Sequence, residues 1–146
     1  MNYFKEAEKN LSNRKNLDKA LHNLYQKQNR LLESGTPKLP SAIDPAKPYV
    51  SGGMVNNTMA DCLDLVEVQK DIAITKAKIK EIDDVINQLP EESKKVLSLW
   101  YIEEKDKDEM CEVFGYSTRQ TLYDKRNKAI GEFAILSFGA PALYAI

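Results

Sequence analysis

From Leu65 onward, seam residues recur at steps of three and four: Leu65, Val68, Ile72, Thr75, Ile79, Ile82, Ile86 and Leu89. A repeat averaging 3.5 residues is a helical period, whereas a half-buried strand alternates every second residue. Held over about four heptads, it dictates a long helix buried along one whole side against another helix. The first segment, Tyr3 to Glu33, supplies a partner of comparable length. Leu17, Leu21, Leu24 and Leu31 recur at alternating steps of four and three, with Gln28 in the remaining seam position. Phe4, Ala7 and Leu11 extend that face toward the N-terminus. An antiparallel hairpin of the two helices is geometrically easy, and a parallel dimer of either helix is the competing arrangement.

Between them lies residues 34–56, SGTPKLPSAIDPAKPYVSGGMVN, a Pro/Gly-rich connection. Pro37, Pro40, Pro45 and Pro48 forbid a continuous helix, and Gly52-Gly53 permits a turn, so the second helix is expected to resume near Asn57 or Thr58. A connection of this size is usually functional or poorly ordered. Pro37 and Pro40 give one weak PxxP match, and the glycine pair lacks the spacing and lysine of a phosphate loop.

Beyond Leu89 the pattern shortens. Pro90 ends or kinks the long helix, and acids at Glu91 and Glu92 suit a new helix N-terminus. Val96, Leu97, Trp100 and Tyr101 give that helix its buried face. Asp106 is placed to cap a further helix, with Glu109 completing a capping box and Met110, Val113 and Phe114 facing inward. Gly115 sits where a helix end takes a left-handed residue. Ser117 can then cap the next helix, with Gln120 three residues on. Two short helices joined by so brief a turn predict a helix-turn-helix, the second helix beginning at Thr118. The expected fold is all-α: a long, coiled-coil-like helical hairpin over 1–89, a helix-turn-helix over 90–137 and an apolar tail over 138–146. Gly139 and Pro141 stop the last helix, leaving Phe138, Leu143, Tyr144 and Ile146 in need of cover.

The stretch LP…VLSLWYIEEKDKDEMCEVFGYS…LYDKRNKAI resembles region 4 of bacterial sigma-70 factors, and more closely the sigma-like phage transcriptional regulators of the RinA/ArpU type. The landmarks are Leu89, Pro90, Val96, Leu99, Tyr101, Glu109, Gly115, Ser117 and Ala129. Cys111 stands where the pattern usually has alanine, a small residue suited to close helix approach. Lys125 departs from the sigma proteins, which place an apolar residue there. Tyr123, Lys128, Ala129 and Phe133 fit the phage regulators better. The resemblance implies a DNA-binding regulator in the cytoplasm of a bacterial host, with activation of late genes as its role.

On the second helix of the motif, Leu122, Ala129, Ile130 and Phe133 make the inward stripe. Arg119, Gln120, Tyr123 and Asn127 are expected to face outward, where a recognition helix meets base edges. Arginine suits guanine and glutamine suits adenine, each through two hydrogen bonds. Lys125, Arg126 and Lys128 are expected nearer phosphates, and Ser117, Thr118 and Thr121 complete the expected contact set at the helix start.

Charge tempers this reading. Lysine and arginine number 21 against 22 aspartates and glutamates, a net charge of −1. Affinity for DNA would be modest, so a homodimer is expected, its two helices reading half-sites and its apolar tail supplying interface. The alternative is an interaction protein that docks on RNA polymerase or another regulator without reading DNA. No nucleophile, metal-ligand set or phosphate loop points to an enzyme, a metal or a cofactor. His22 lacks ligand neighbours. Cys62 and Cys111 lie far apart and read as reduced cytosolic thiols. The first ten residues are too polar for a secretory signal, and no apolar run suggests a membrane span.

Overall fold

The computed structural model describes residues 1–33 and 52–145, with side chains over 1–33 and 59–144. The described residues are helical throughout apart from short turns. They form α1 (Tyr3–Glu33), α2 (Gly52–Gln88), α3 (Glu91–Leu97), a π-helical turn (Ser98–Ile102), α4 (Lys107–Phe114), α5 (Arg119–Phe138) and α6 (Ala140–Ala145). The all-α class expected from the periodicity holds. Most of the Pro/Gly-rich connection, residues 34–51, lies outside the described residues. Its last part does not extend to Asn57: α2 already begins at Gly52. Glycine is tolerated there because first-turn amides have no intrahelical acceptor to lose. No described helix is long and apolar enough to cross a membrane.

The chain divides into two units, residues 1–18 with 78–146 and residues 19–77. In the first unit, Ala7 and Leu11 of α1 share a core with Ile82, Val85, Ile86 and Leu89 from α2. Leu97 and Tyr101 join them, as do Ala129, Ile130, Phe133 and Ala134 of α5. Each fully buried large side chain is worth roughly 1.5–3 kcal/mol, so this core outweighs the exposed ion pairs around it. Arg14, with only 12% of its side chain exposed, holds Asp83 through two hydrogen bonds of 2.8 and 2.9 Å and Asp18 at 2.7 Å. Asp83, expected on a solvated face, is therefore a partner of α1. In the second unit Val68 and Ile72 are buried, Leu21 and Leu24 are half-buried, and Lys76 lies over the Tyr25 ring at 5.3 Å. Every seam position from Leu65 to Leu89 is buried or half-buried. Of the four residues expected deepest, Ile82 is buried, whereas Leu21, Leu24 and Ile79 are only half-covered.

Pro90 caps α3 without a side-chain bond, and two acids occupy the first turn as the helix dipole favours. The helix then widens. Glu103 N–H donates to Ser98 C=O at 3.0 Å, five residues back, which defines the π turn. Leu97 and Tyr101 enter the main core from this segment, while Leu99 enters a second cluster with Met110 and Leu122. Trp100 packs against both. One short helix thus ties the helix-turn-helix to the rest of its unit. Glu104 ends the segment at φ 52°, a left-handed backbone unusual for a residue with a Cβ.

Tyr101 is 8% exposed, and its buried hydroxyl has no hydrogen-bond partner among the described residues. Burial pushes its pKa above the ordinary phenol value. An unpaired buried hydroxyl costs about 1–3 kcal/mol, so Tyr101→Phe is expected to raise stability by roughly 1 kcal/mol. Urea denaturation followed by circular dichroism measures this, and a loss of stability would show that the hydroxyl has a partner after all.

The tail departs from expectation. Gly139, at φ 78°, ends α5, but the chain at once forms the six-residue α6. Pro141 is compatible because it lies in the first turn, where its missing N–H has no acceptor to lose. Ala142 is fully buried in the main core and Phe138 packs on Tyr3 with ring centroids 5.3 Å apart. The tail covers its own unit in part, leaving Leu143 and Tyr144 exposed.

Candidate nucleic-acid interface

The helix-turn-helix is built from local signals. Asp106 takes the extended N-cap backbone of α4, at φ −59° and ψ 143°. Its side chain makes no cap bond, so the expected box with Glu109 is not closed. The carbonyl of Asp106 instead starts the helix by accepting from Met110 N–H at 3.0 Å. Gly115 is left-handed at φ 74°, as expected. Gly115 N–H donates to Glu112 C=O at 3.3 Å, and Tyr116 N–H donates to Cys111 C=O at 2.9 Å, so the two bonds satisfy otherwise orphan carbonyls of α4. Tyr116 then stacks on Phe114 with centroids 5.3 Å apart.

The cap of α5 is one residue later than Ser117. Thr118 carries the extended backbone, at φ −138° and ψ 154°, and its Oγ1 accepts from Thr121 N–H at 3.3 Å. The two threonine hydroxyls also share a 3.0 Å hydrogen bond. Gln120 does not close a box. It donates to Asp124 Oδ1 at 3.0 Å, one turn along the exposed surface. Met110 and Leu122, both fully buried, and Leu99 lock α4 against α5, with Cys111 partly buried beside them. On the far side of α5, Ser93 of α3 donates to Glu132 at 3.1 Å.

The expected contact residues fall into three groups. Gln120, Asn127 and Lys128 lie exposed on one arc of α5, together with Asp124, an acid that periodicity had not singled out. Arg119 is exposed too, but its guanidinium makes two 2.8 Å bonds to Asp108 of α4. This pairing holds the Asp108 carboxyl below its ordinary value and raises Arg119. The third group is turned inward, against expectation. Tyr123 is half-buried and meets Trp100 edge to face at 5.6 Å. Arg126 lies over Trp100 at 4.7 Å and over Tyr123 at 5.8 Å, and Lys107 covers Trp100 at 4.7 Å. Arg126 also donates to Asn127 Oδ1 at 3.3 and 2.9 Å. Lys125, half-buried, lies 3.5 Å from Glu92 of α3. Packing on neighbouring helices decides these orientations, and helix periodicity alone does not carry that information. Ser117 remains exposed, outside the cap.

Glu92 collects two partners. Tyr116 Oη donates to it at 2.5 Å, and Lys125 approaches from α5. The Tyr116 bond first, then the Lys125 charge, hold Glu92 below its ordinary carboxylate range. Desolvation and that same bond push the Tyr116 phenol up to about 12. A raised phenol stabilises the folded chain below the ordinary tyrosine value of about 10 and loses that contribution as pH climbs through about 12. The lowered Glu92 works in the other window, its contribution present above the ordinary glutamate range and lost as acid protonates it. Phenolate absorbance is therefore expected to show a late-titrating tyrosine near pH 12 that Tyr116→Phe removes. If the difference between the two proteins titrates near an ordinary tyrosine, the Tyr116–Glu92 bond does not hold in solution.

A family model described as a protein of unknown function, DUF1492, matches residues 46–134. The match spans α2 through most of α5 and so includes the helix-turn-helix. No curated protein and no solved structure matches the chain.

Proposed function

The chain belongs to the DUF1492 family, and from that starting point we propose that it is a non-enzymatic transcriptional regulator reading double-stranded DNA with α5. The observation that carries this reading is the exposed arc of α5 on a turn locked to α4. Gln120 and Asn127 on that arc are amide side chains, the type that pairs with adenine edges through two hydrogen bonds. Lys128 beside them, and Arg119 at the helix start, are cations suited to phosphates. The sequence resemblance to RinA/ArpU-type phage regulators adds the narrower assignment: activation of late genes in a bacterial cytoplasm.

A second reading has its own support. Arg119 is matched by Asp108 and Lys125 by Glu92, which removes much of the positive field from the recognition helix. A surface so neutralised suits docking on a protein such as RNA polymerase, without base reading. Fluorescence anisotropy with duplexes tiled across the DNA flanking the gene, repeated at rising salt, separates the two. DNA reading predicts one duplex bound well above a scrambled control, with affinity falling as salt rises through counterion release. Equal, negligible binding to every duplex, with retained binding to polymerase, would establish the docking role instead.

A further inference from the structure

We propose that α2 carries a self-association face, on which a second copy of this chain seats its own α2 antiparallel. The seam of α2 that includes Val68 and Ile72 is covered within its unit. A different face of the same helix is not. Met59, Leu63 and Val66 are 63%, 65% and 61% exposed, and Ile74 is 58% exposed. Lys70, Ala73 and Ala77 are exposed as well. The positions 59, 63, 66, 70, 73 and 77 follow steps of four and three, the heptad spacing that a second helix fills with knobs into holes. At 1.5 Å per residue the stripe runs about 27 Å, and contiguous exposed apolar surface of this kind marks an interface. This face is independent of the DNA reading of α5.

Size and charge within the stripe select the occupant and its direction. The large residues, Met59, Leu63 and Val66, occupy its N-terminal half, and the small ones, Ala73 and Ala77, its C-terminal half. A parallel copy would set large against large and leave a gap between facing alanines. It would also bring the two Lys70 ammonium groups level with one another. Reversing the second helix about a two-fold axis near residue 68 places Met59 against Ala77 of the second copy and Leu63 against Ala73 of the second copy. Lys70 then faces Val66 and Glu67 of the second copy, and symmetry repeats each pairing. The like-charge clash becomes two opposite-charge pairs.

Sedimentation of the full chain, without DNA, is expected to show a dimer at micromolar concentration. The double variant Leu63→Glu, Val66→Glu alters residues already exposed in the single chain, so helicity should be unchanged while self-association weakens by at least about 100-fold, because the dimer would bury unpaired charges. Direction is read by disulfide trapping with Cys62→Ala and Cys111→Ala in place. Met59→Cys mixed with Ala77→Cys should cross-link between copies, whereas Met59→Cys alone should not. A wild-type chain that stays monomeric at roughly 100 µM, as it would if residues 34–51 of the same chain cover the stripe, overturns the proposal. So does a dimer that survives the double glutamate variant but is lost on truncation after Ser137, which would move the interface to the tail. Self-linking by Met59→Cys alone would overturn the antiparallel arrangement.

Discussion

Phe133→Ala is expected to destabilise the chain by about 3–5 kcal/mol, the usual cost of emptying a buried aromatic site. The ring is 1% exposed and sits in the core where α1, α2, α3 and α5 meet. Neighbours drawn from several helices cannot all collapse into the space it leaves. Leu136→Ala, one turn along α5 at a residue 45% exposed, is the matched control and should change stability by no more than about 0.5 kcal/mol. Urea titration of both variants, followed by helical circular dichroism, gives the comparison. A loss below about 1 kcal/mol for Phe133→Ala would mean that the core described here is not the one that folds.

The second large effect concerns discrimination. Gln120→Ala and Asn127→Ala should each reduce preference for a specific duplex over a scrambled one by about 1–3 kcal/mol, or roughly tenfold to a hundredfold, with stability unchanged. Both are exposed, and neither supports the core. Arg119→Ala should behave differently. Its guanidinium must leave Asp108 before it can meet DNA, so part of what it gains there is spent on the exchange. Lys128→Ala should weaken binding to all sequences alike and lower the salt dependence by about one ion. If Gln120→Ala and Asn127→Ala both keep full preference in a binding titration, the base-reading role of α5 fails.

The contrast between these residues shows which features the sequence carries. The seam from Leu65 to Leu89, the break at Pro90 and the left-handed Gly115 were legible because each is a local matter of period or backbone geometry. The choice between Ser117 and Thr118 as cap was not. Both offer a hydroxyl, and the decision lies in which backbone turns extended. The same limit explains Arg119 and Asp108, eleven residues apart, and Tyr123 folded against Trp100. Their meeting depends on how α4, α5 and the π turn cross, which no spacing rule contains. Periodicity likewise gave α1 and α2 a shared seam, but it could not say that Arg14 would claim Asp83 from a row of apparently solvated acids.

The wide turn at Ser98–Ile102 has a consequence for how this chain can vary. A π turn holds one residue more than the α-helical turn it replaces. Deleting any one residue there would let the helix close to ordinary pitch, rotating everything downstream by about 100° and shortening it by about 1.5 Å. Leu99 would leave the cluster of Met110 and Leu122, and the helix-turn-helix would lose its register on the rest of its unit. Side chains in this segment can be exchanged one at a time, but its length cannot drift. Among relatives the segment should therefore keep its residue count even where the letters change, so that an alignment gap at 98–102 would mark a protein with a different junction.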